Sequence, residues 1–304
     1  MRKPVMVLAV IAAASGPASG AGPDCEYPNV MFVVDKSRSM SDPVDASSTA
    51  GSKYQIALGA VERALAMYGD KVRFGLTMFP WAGECGQGRV FVPTDYGTAA
   101  SIVSEMKNQA AQLDGATPIA GTLYALVSEP SLMDTSRRSF VLLLTDGTET
   151  CSPDYDGPTN AAATLRTAGS AVFVIGFGSA VDPETLEAIA AAGGTSAAEK
   201  TQNYHEADDA ATLDAALVSM IEFATAEVCD GRDNDCNGAA DDIAPKRCVA
   251  LCGAAGEQLC EGGEWTECLD ETGAVITASS AACKSGGSSG FGDSGCSCAV
   301  LTLE

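Results

Sequence analysis

The chain has 304 residues, more than one average domain, and carries 40 acidic against 18 basic residues for a net charge of −22. Such acidity excludes nucleic acid and anionic membrane as the main partners and suits bound cations. Twelve cysteines fit an oxidising compartment and a disulfide framework.

At the N-terminus, Arg2 and Lys3 precede an apolar run from Val5 to Ala14 and a small-residue stretch from Gly16 to Gly22. This is the order of a secretory signal peptide, so residues 1–22 are expected to be removed on export. The run is too short for a bilayer, which takes ~20 apolar residues, and no later stretch approaches that length. The mature chain is therefore expected to lack a transmembrane segment.

Residues 23–228 read as one domain. Asn29 to Val34 is a continuous apolar run ending at Asp35, the pattern of a central parallel strand buried on both faces. Further strand-like runs are Val72–Phe79, Phe140–Thr145 and Ala171–Phe177, with a weaker one at Arg89–Val92. Helical spacing occupies Tyr54–Met67, Ala99–Leu113, Ile119–Val127, Thr159–Thr167 and Pro183–Ala191. A last helix is expected from about Ala207 to Ala226, with Leu213, Leu217, Met220 and Ile221 on one face. Strands alternating with helices predict an α/β fold, a doubly wound and mostly parallel sheet covered on both sides. In such sheets ligands sit at the carboxyl ends of the strands.

Three loops at those ends are rich in oxygen donors: Asp35-Lys36-Ser37-Arg38-Ser39-Met40, then Asp114-Gly115-Ala116-Thr117-Pro118, then Thr145-Asp146-Gly147. Ser37 and Ser39, two apart in a turn, can turn both hydroxyls to one point. Two carboxylates and three hydroxyls suit a hard cation yet provide fewer anionic donors than a closed calcium cage, so a coordination position can stay open. Lys36 and Arg38 are rare cations on an acidic chain. They either steer an acidic ligand toward the site or are ordinary solvated loop charges.

The order Asp-x-Ser-x-Ser, then Thr, then Asp resembles the metal-ion-dependent adhesion site of the von Willebrand factor A family, over roughly 200 residues. The resemblance implies that Ser37, Ser39 and Thr117 hold Mg²⁺ (or Mn²⁺) directly, and that Asp35 and Asp146 do so directly or through water. It further implies a protein ligand whose acidic side chain completes the coordination. Arg38 departs from the Gly that many relatives have there. Near these loops, Cys85 lies in the Gly-rich stretch Ala82–Gly88 and Cys151 follows Asp146 by five residues. Both stretches should lie at the same end of the sheet, where a Cys85–Cys151 bridge would clamp the rim.

From Cys229 the texture changes, and residues 229–283 read as a small Cys-rich module. Asp233, Asp235 and Asn237 alternate before Gly238, as in the first half of an EF-hand loop, with Asp241 at the ninth position. Ala244 stands where the bidentate Glu would be, and flanking helices are absent. A disulfide-held Ca²⁺ loop is therefore expected, with an Asx-rich structural turn as the alternative. The stretch resembles the Cys-Asp-Gly-x-Asp-Asn-Asp-Cys motif of exported bacterial proteins, called MopE-type, a name associated with copper. The single histidine, His205, lies outside it, and oxygen donors favour calcium over copper. Cys229, Cys236, Cys248, Cys252, Cys260 and Cys268 crowd a segment too short for a large core, so disulfides should hold it. Cys229 could instead pair with Cys25, and zinc competes for Cys248 and Cys252. Residues 284–304 begin as a Gly/Ser-rich linker and resemble the start of a myxobacterial-type C-terminal sorting signal, without its membrane helix and basic end.

These features point to an exported bacterial protein, secreted or on the cell surface, that binds a protein partner through a divalent metal. A secreted hydrolase is the alternative from another class. Against it, Tyr204-His205-Glu206 has no nucleophile elbow to accompany it. An intracellular partner of an ATPase, also known in the A-domain family, is opposed by the leader and the cysteines.

Overall fold

The computed structural model describes residues 25–44, 51–154, 156–178, 181–195, 203–250 and 252–277, together with the backbone of 301–302. The expected leader and nearly all of the tail lie outside these residues.

The sequence alternation becomes a six-stranded sheet: β1 (Asn29–Asp35), β2 (Arg73–Phe79), β3 (Arg89–Asp95), β4 (Ser139–Thr145), β5 (Ser170–Phe177) and β6 (His205–Ala207), in spatial order β3-β2-β1-β4-β5-β6. All neighbours run parallel except β3, which returns antiparallel beside β2. β1 is buried along its whole length. Successive side chains of a strand point to opposite faces, and here both faces are covered: Val30, Phe32 and Val34 enter one core, Met31 and Val33 the other. That double burial is why the strand is continuously apolar.

The first core is roofed by α1 (Lys53–Tyr68), α2 (Ala99–Gln109) and α6 (Ala210–Thr225), the second by α3 (Ile119–Leu126), α4 (Gly157–Thr167) and α5 (Pro183–Gly193). α1 opens on a capping box, the Ser52 hydroxyl accepting from the Gln55 amide while the Gln55 side chain accepts from the Ser52 amide. Of the expected boundaries that move, two have a visible cause. The last helix starts at Ala210 because Asp209 caps it through the Thr212 amide, and Ala207 belongs instead to the edge strand β6. α2 stops at Gln109, and the chain beyond it is drawn to the loop after β1, with the Asp114 amide donating to the Lys36 carbonyl.

After α6 come β7 (Lys246–Val249), β8 (Ala255–Gln258), β9 (Cys260–Glu261), β10 (Glu264–Trp265) and β11 (Leu301–Thr302). They form a β11-β7-β8 sheet and a β9-β10 hairpin over a small core of Cys248, Ala250, Ala254, Cys268 and Ile276. Disulfides join Cys229 to Cys260 and Cys248 to Cys268, and Cys252 is disulfide-bonded as well. A thiolate zinc site at Cys248 and Cys252 is thereby replaced by disulfides. Cys25 bonds Cys236 rather than Cys229. A backbone bridge between Cys25 and Asp233 sets that pairing, and the Arg232 guanidinium donates to the Ser136 carbonyl beside it. Both contacts fasten the module to the amino-terminal pole of the sheet. No helix among the described residues is long and apolar enough to cross a membrane.

Candidate metal centre

The carboxyl ends of β1 and β4 bring four of the five adhesion-motif side chains into one hydrogen-bonded string. Asp35 is fully buried. Its Oδ1 accepts from the Ser37 amide at 2.7 Å and its Oδ2 from the Thr145 hydroxyl at 2.6 Å. The Ser37 and Ser39 hydroxyls lie 3.2 Å apart, made neighbours by the 3-10 turn Arg38–Ser41, and Ser39 donates to Asp146 Oδ1 at 2.8 Å.

Thr117 arrives on the second loop, which is tied to the first through the Asp114 amide and through the Arg38 amide on the Gly115 carbonyl. Gly115 is required there, since its φ is +87° and a Cβ would lie 2.8 Å from Pro80 Cγ. A Cβ on Gly147 would come within 3.6 Å of Thr117 Oγ1 and 4.0 Å of Ser39 Oγ. The Thr117 hydroxyl therefore faces the same corner as Ser39. Thr117 is held in place by its amide on the Thr150 hydroxyl, at 2.8 Å.

The expected rim bridge is present, Cys85 bonded to Cys151. It connects the 81–88 loop to the segment after β4, and the Glu84 carbonyl also accepts from the Ala116 amide, next to Thr117. Glu149 organises the same rim, accepting from the amides of Ala120, Cys151 and Ser152.

Lys53 was not nominated by the motif. It lies at the first turn of α1, with its Nζ 2.8 Å from Asp146 Oδ2 and side-chain exposures of 6% and 0% for the pair. A signal existed, because a lysine at a helix N-terminus opposes the helix dipole and so calls for an anionic partner. Two buried carboxylates facing one ammonium leave a net negative charge. At Asp35 burial first, and then repulsion from Asp146, pushes the carboxyl up from 3.8 to about 7, against the hydrogen bonds of Thr145 and Ser37, so without a cation the site favours a proton there. An all-oxygen donor set with two buried carboxylates and one ammonium, in which a cation can displace the Asp35 proton, fits a hard divalent ion.

Lys36 and Arg38, the two cations for which the sequence leaves ligand steering and ordinary loop charge both open, are both engaged within the chain. Lys36 is 6% exposed, donates to the Gln112 carbonyl, and lies 5.8 Å from the Trp81 ring, its burial lowering its affinity for a proton. Arg38 places two nitrogens on Asp114 Oδ1 at 2.9 and 2.8 Å.

Residues 29–217 match the family model of the von Willebrand factor type A domain. The chain belongs to that family. No curated protein matches the A domain or the rest of the chain. Among solved structures, proximal thread matrix protein 1 from the mussel byssus aligns with TM-score 0.50 and 19% identity, covering 68% of this chain and 47% of that one. A further structure of the mussel protein has its adhesion-site motif occupied by zinc. The pilus adhesin SpaC from Lactobacillus rhamnosus GG, in an open conformation, aligns with TM-score 0.51 and 15% identity, covering 67% and 30%. An aerotolerance-related membrane protein from Bacteroides fragilis aligns with TM-score 0.50 and 16% identity, covering 64% and 98%. This chain thus spans about half the length of the mussel protein and less than a third of the adhesin. At these identities the likeness is one of fold. Structural relatives of this A domain include adhesins and matrix proteins.

In the C-terminal loop, Asp233, Asp235 and Asn237 stay together while Asp241 turns away. Asp233 accepts from the amides of Asn237 and Gly238, and Asp235 accepts from the Asn237 amide and side chain. Asp241 Oδ1 accepts from the amides of Asp230 and Gly231 and its Oδ2 from Gly263, which places it beside the Cys229–Cys260 disulfide. The third carboxylate facing Asp233 and Asp235 is Glu227, all three presenting oxygens within 4.8 Å of one another. Glu227 lies just outside the motif, so loop spacing alone could not nominate it.

Proposed function

We propose that this chain is an exported bacterial protein, secreted or held at the cell surface, that binds a protein partner through a divalent cation at the A domain. Asp35, Ser37, Ser39, Thr117 and Asp146 would hold Mg²⁺ (or Mn²⁺), which supplies an electrophilic coordination position for a partner's carboxylate. The observation that carries the reading is the hydrogen-bonded string Asp35, Ser37, Ser39, Asp146, in which two buried carboxylates share a single ammonium, Lys53. Hydroxyls add no charge of their own, so the cation stays under-neutralised toward an outside anion. Asp35 and Asp146 orient the two serines, Thr145 fixes Asp35, and Lys53 fixes Asp146.

The test is calorimetric titration of the folded chain with Mg²⁺, followed by binding of an aspartate-containing peptide with Mg²⁺ and with chelator. Asp35→Ala and Thr117→Ala should abolish metal-dependent peptide binding. Equal affinity in chelator would leave the A domain as a scaffold.

For the C-terminal module, Ca²⁺ is the proposed ligand, taken by Glu227, Asp233 and Asp235 with Asn237. The proximity of three carboxylates supports it. In this reading Asp241 closes the loop onto backbone amides rather than binding the ion.

A further inference from the structure

The cation available to a ligand beside the candidate metal centre is neither Lys36 nor Arg38 but Arg89. The guanidinium of this exposed residue lies 5.0 Å from the Trp81 ring and 5.5 Å from the Phe91 ring, which meet edge to face at 5.1 Å. Lys36 supports the same indole from within the domain. Among the described residues no carboxylate lies within ion-pair distance of Arg89. On a chain of net charge −22, an unpaired guanidinium fixed on two aromatic rings is an unusual placement. Stacking on rings leaves the edge of a guanidinium, with its fork of donors, free to take a carboxylate in two parallel hydrogen bonds.

Its position relates it to the site. Arg89 pairs with Met78, and the next residue, Phe79, pairs with Asp35. With strands ~4.8 Å apart, the Arg89 backbone lies roughly 10 Å from that of Asp35. The Gly88 amide donates to the Thr122 hydroxyl on α3, the helix that follows Thr117. The 81–88 loop between Trp81 and Arg89 is anchored by the Cys85–Cys151 disulfide, so this shelf is held rigidly against the centre.

We propose that Arg89, displayed on Trp81 and Phe91, is a second subsite of the partner-binding surface, taking a second carboxylate of the same acidic segment whose first carboxylate completes the metal. This rests on the metal-dependent reading above. An extended segment advances ~3.3 Å per residue, so the second acid stands two to four positions from the first. The partner is thus an extended acidic peptide segment rather than one bearing an isolated aspartate.

The test uses the full chain and two synthetic peptides on a biosensor, one with a single aspartate between glycines and one with a second aspartate three positions along. In Mg²⁺ the two-acid peptide should bind about tenfold more tightly, equivalent to roughly 1.4 kcal/mol. Arg89→Gln should erase that ratio while leaving the affinity of the one-acid peptide unchanged. Arg89 is exposed, so the variant should retain the wild-type melting temperature. Mg²⁺-dependent binding with the same ratio in wild type and Arg89→Gln would overturn the subsite and spare the metal reading. Chelator-insensitive binding that still needs Arg89 would overturn the metal reading and spare a basic subsite. Absence of binding by either peptide would overturn both.

Discussion

Replacing Lys53 with Met tests the electrostatics beneath the candidate metal centre. The substitution keeps most of the side-chain volume and removes the ammonium that lies 2.8 Å from Asp146, in a pair whose members are 6% and 0% exposed. Asp146 would then be buried with no counter-charge and with the Asp35 carboxyl close by. Breaking a buried pair by removing one partner typically costs about 3–5 kcal/mol. In a domain of this size each kcal/mol moves the melting temperature by about 2–4 °C, so a fall of roughly 6–20 °C is expected in chelator. The sign reverses for metal. Two cations repel, by about 2 kcal/mol for unit charges on the order of 8 Å apart at an effective dielectric of about 20, so Lys53→Met should bind Mg²⁺ at least roughly tenfold more tightly. At a hundredfold excess over Kd, Mg²⁺ would return about 2.7 kcal/mol of stability. Calorimetric melting in chelator and in Mg²⁺, with a Mg²⁺ titration of both proteins, reads the two effects. A variant that melts within 3 °C of wild type in chelator and binds Mg²⁺ no more tightly would refute the reasoning.

Three further outcomes are expected. Because the folded chain raises the Asp35 carboxyl from 3.8 to about 7, the native state binds more protons than the unfolded one between those values, and stability in chelator should fall as pH rises through that window. The penalty is of order 4 kcal/mol and complete above pH 7, and saturating Mg²⁺, which favours the ionised form, should flatten the profile; equal melting at pH 5 and pH 8 in chelator would count against it. Converting Cys85 and Cys151 together to Ser opens a 66-residue separation, for which loop entropy predicts a loss of about 4 kcal/mol, and should weaken Mg²⁺ binding because the Glu84 carbonyl supports the Ala116–Thr117 loop; an unchanged Mg²⁺ titration would separate the bridge from the site. Ca²⁺ should raise the melting temperature of the full chain's C-terminal transition, and Asp235→Ala should cancel the rise; a null result in the oxidised wild type would leave the loop as Asx turns alone.

The sheet was legible because burial on both faces imposes an unmistakable pattern. Asn29–Asp35 is apolar throughout since α1, α2 and α6 cover one side and α3, α4 and α5 the other. The edge strand His205–Ala207 lacked that signal, being short and only partly buried, and its last residue reads as the start of the neighbouring helix. The Asp-x-Ser-x-Ser loop could be recognised because two hydroxyls on one turn are a local arrangement, and Thr117 and Asp146 could be added because strand ends converge in a parallel sheet.

What the sequence could not determine was which charges neutralise one another. Lys53 and Asp146 are 93 residues apart, Arg38 and Asp114 are 76, and both pairings depend on loop register rather than on any spacing along the chain. The same holds for disulfides: Cys25 meets Cys236 across 211 residues because the backbone bridges at Asp233, a contact no cysteine count contains. Composition and periodicity therefore determined the fold and nominated the oxygen-rich loops, since these follow from local burial and turn chemistry. Only the tertiary structure decided the charge balance at the centre and the free guanidinium at its rim, because Coulomb energies depend on distance and burial, which loops far apart in sequence acquire together on folding.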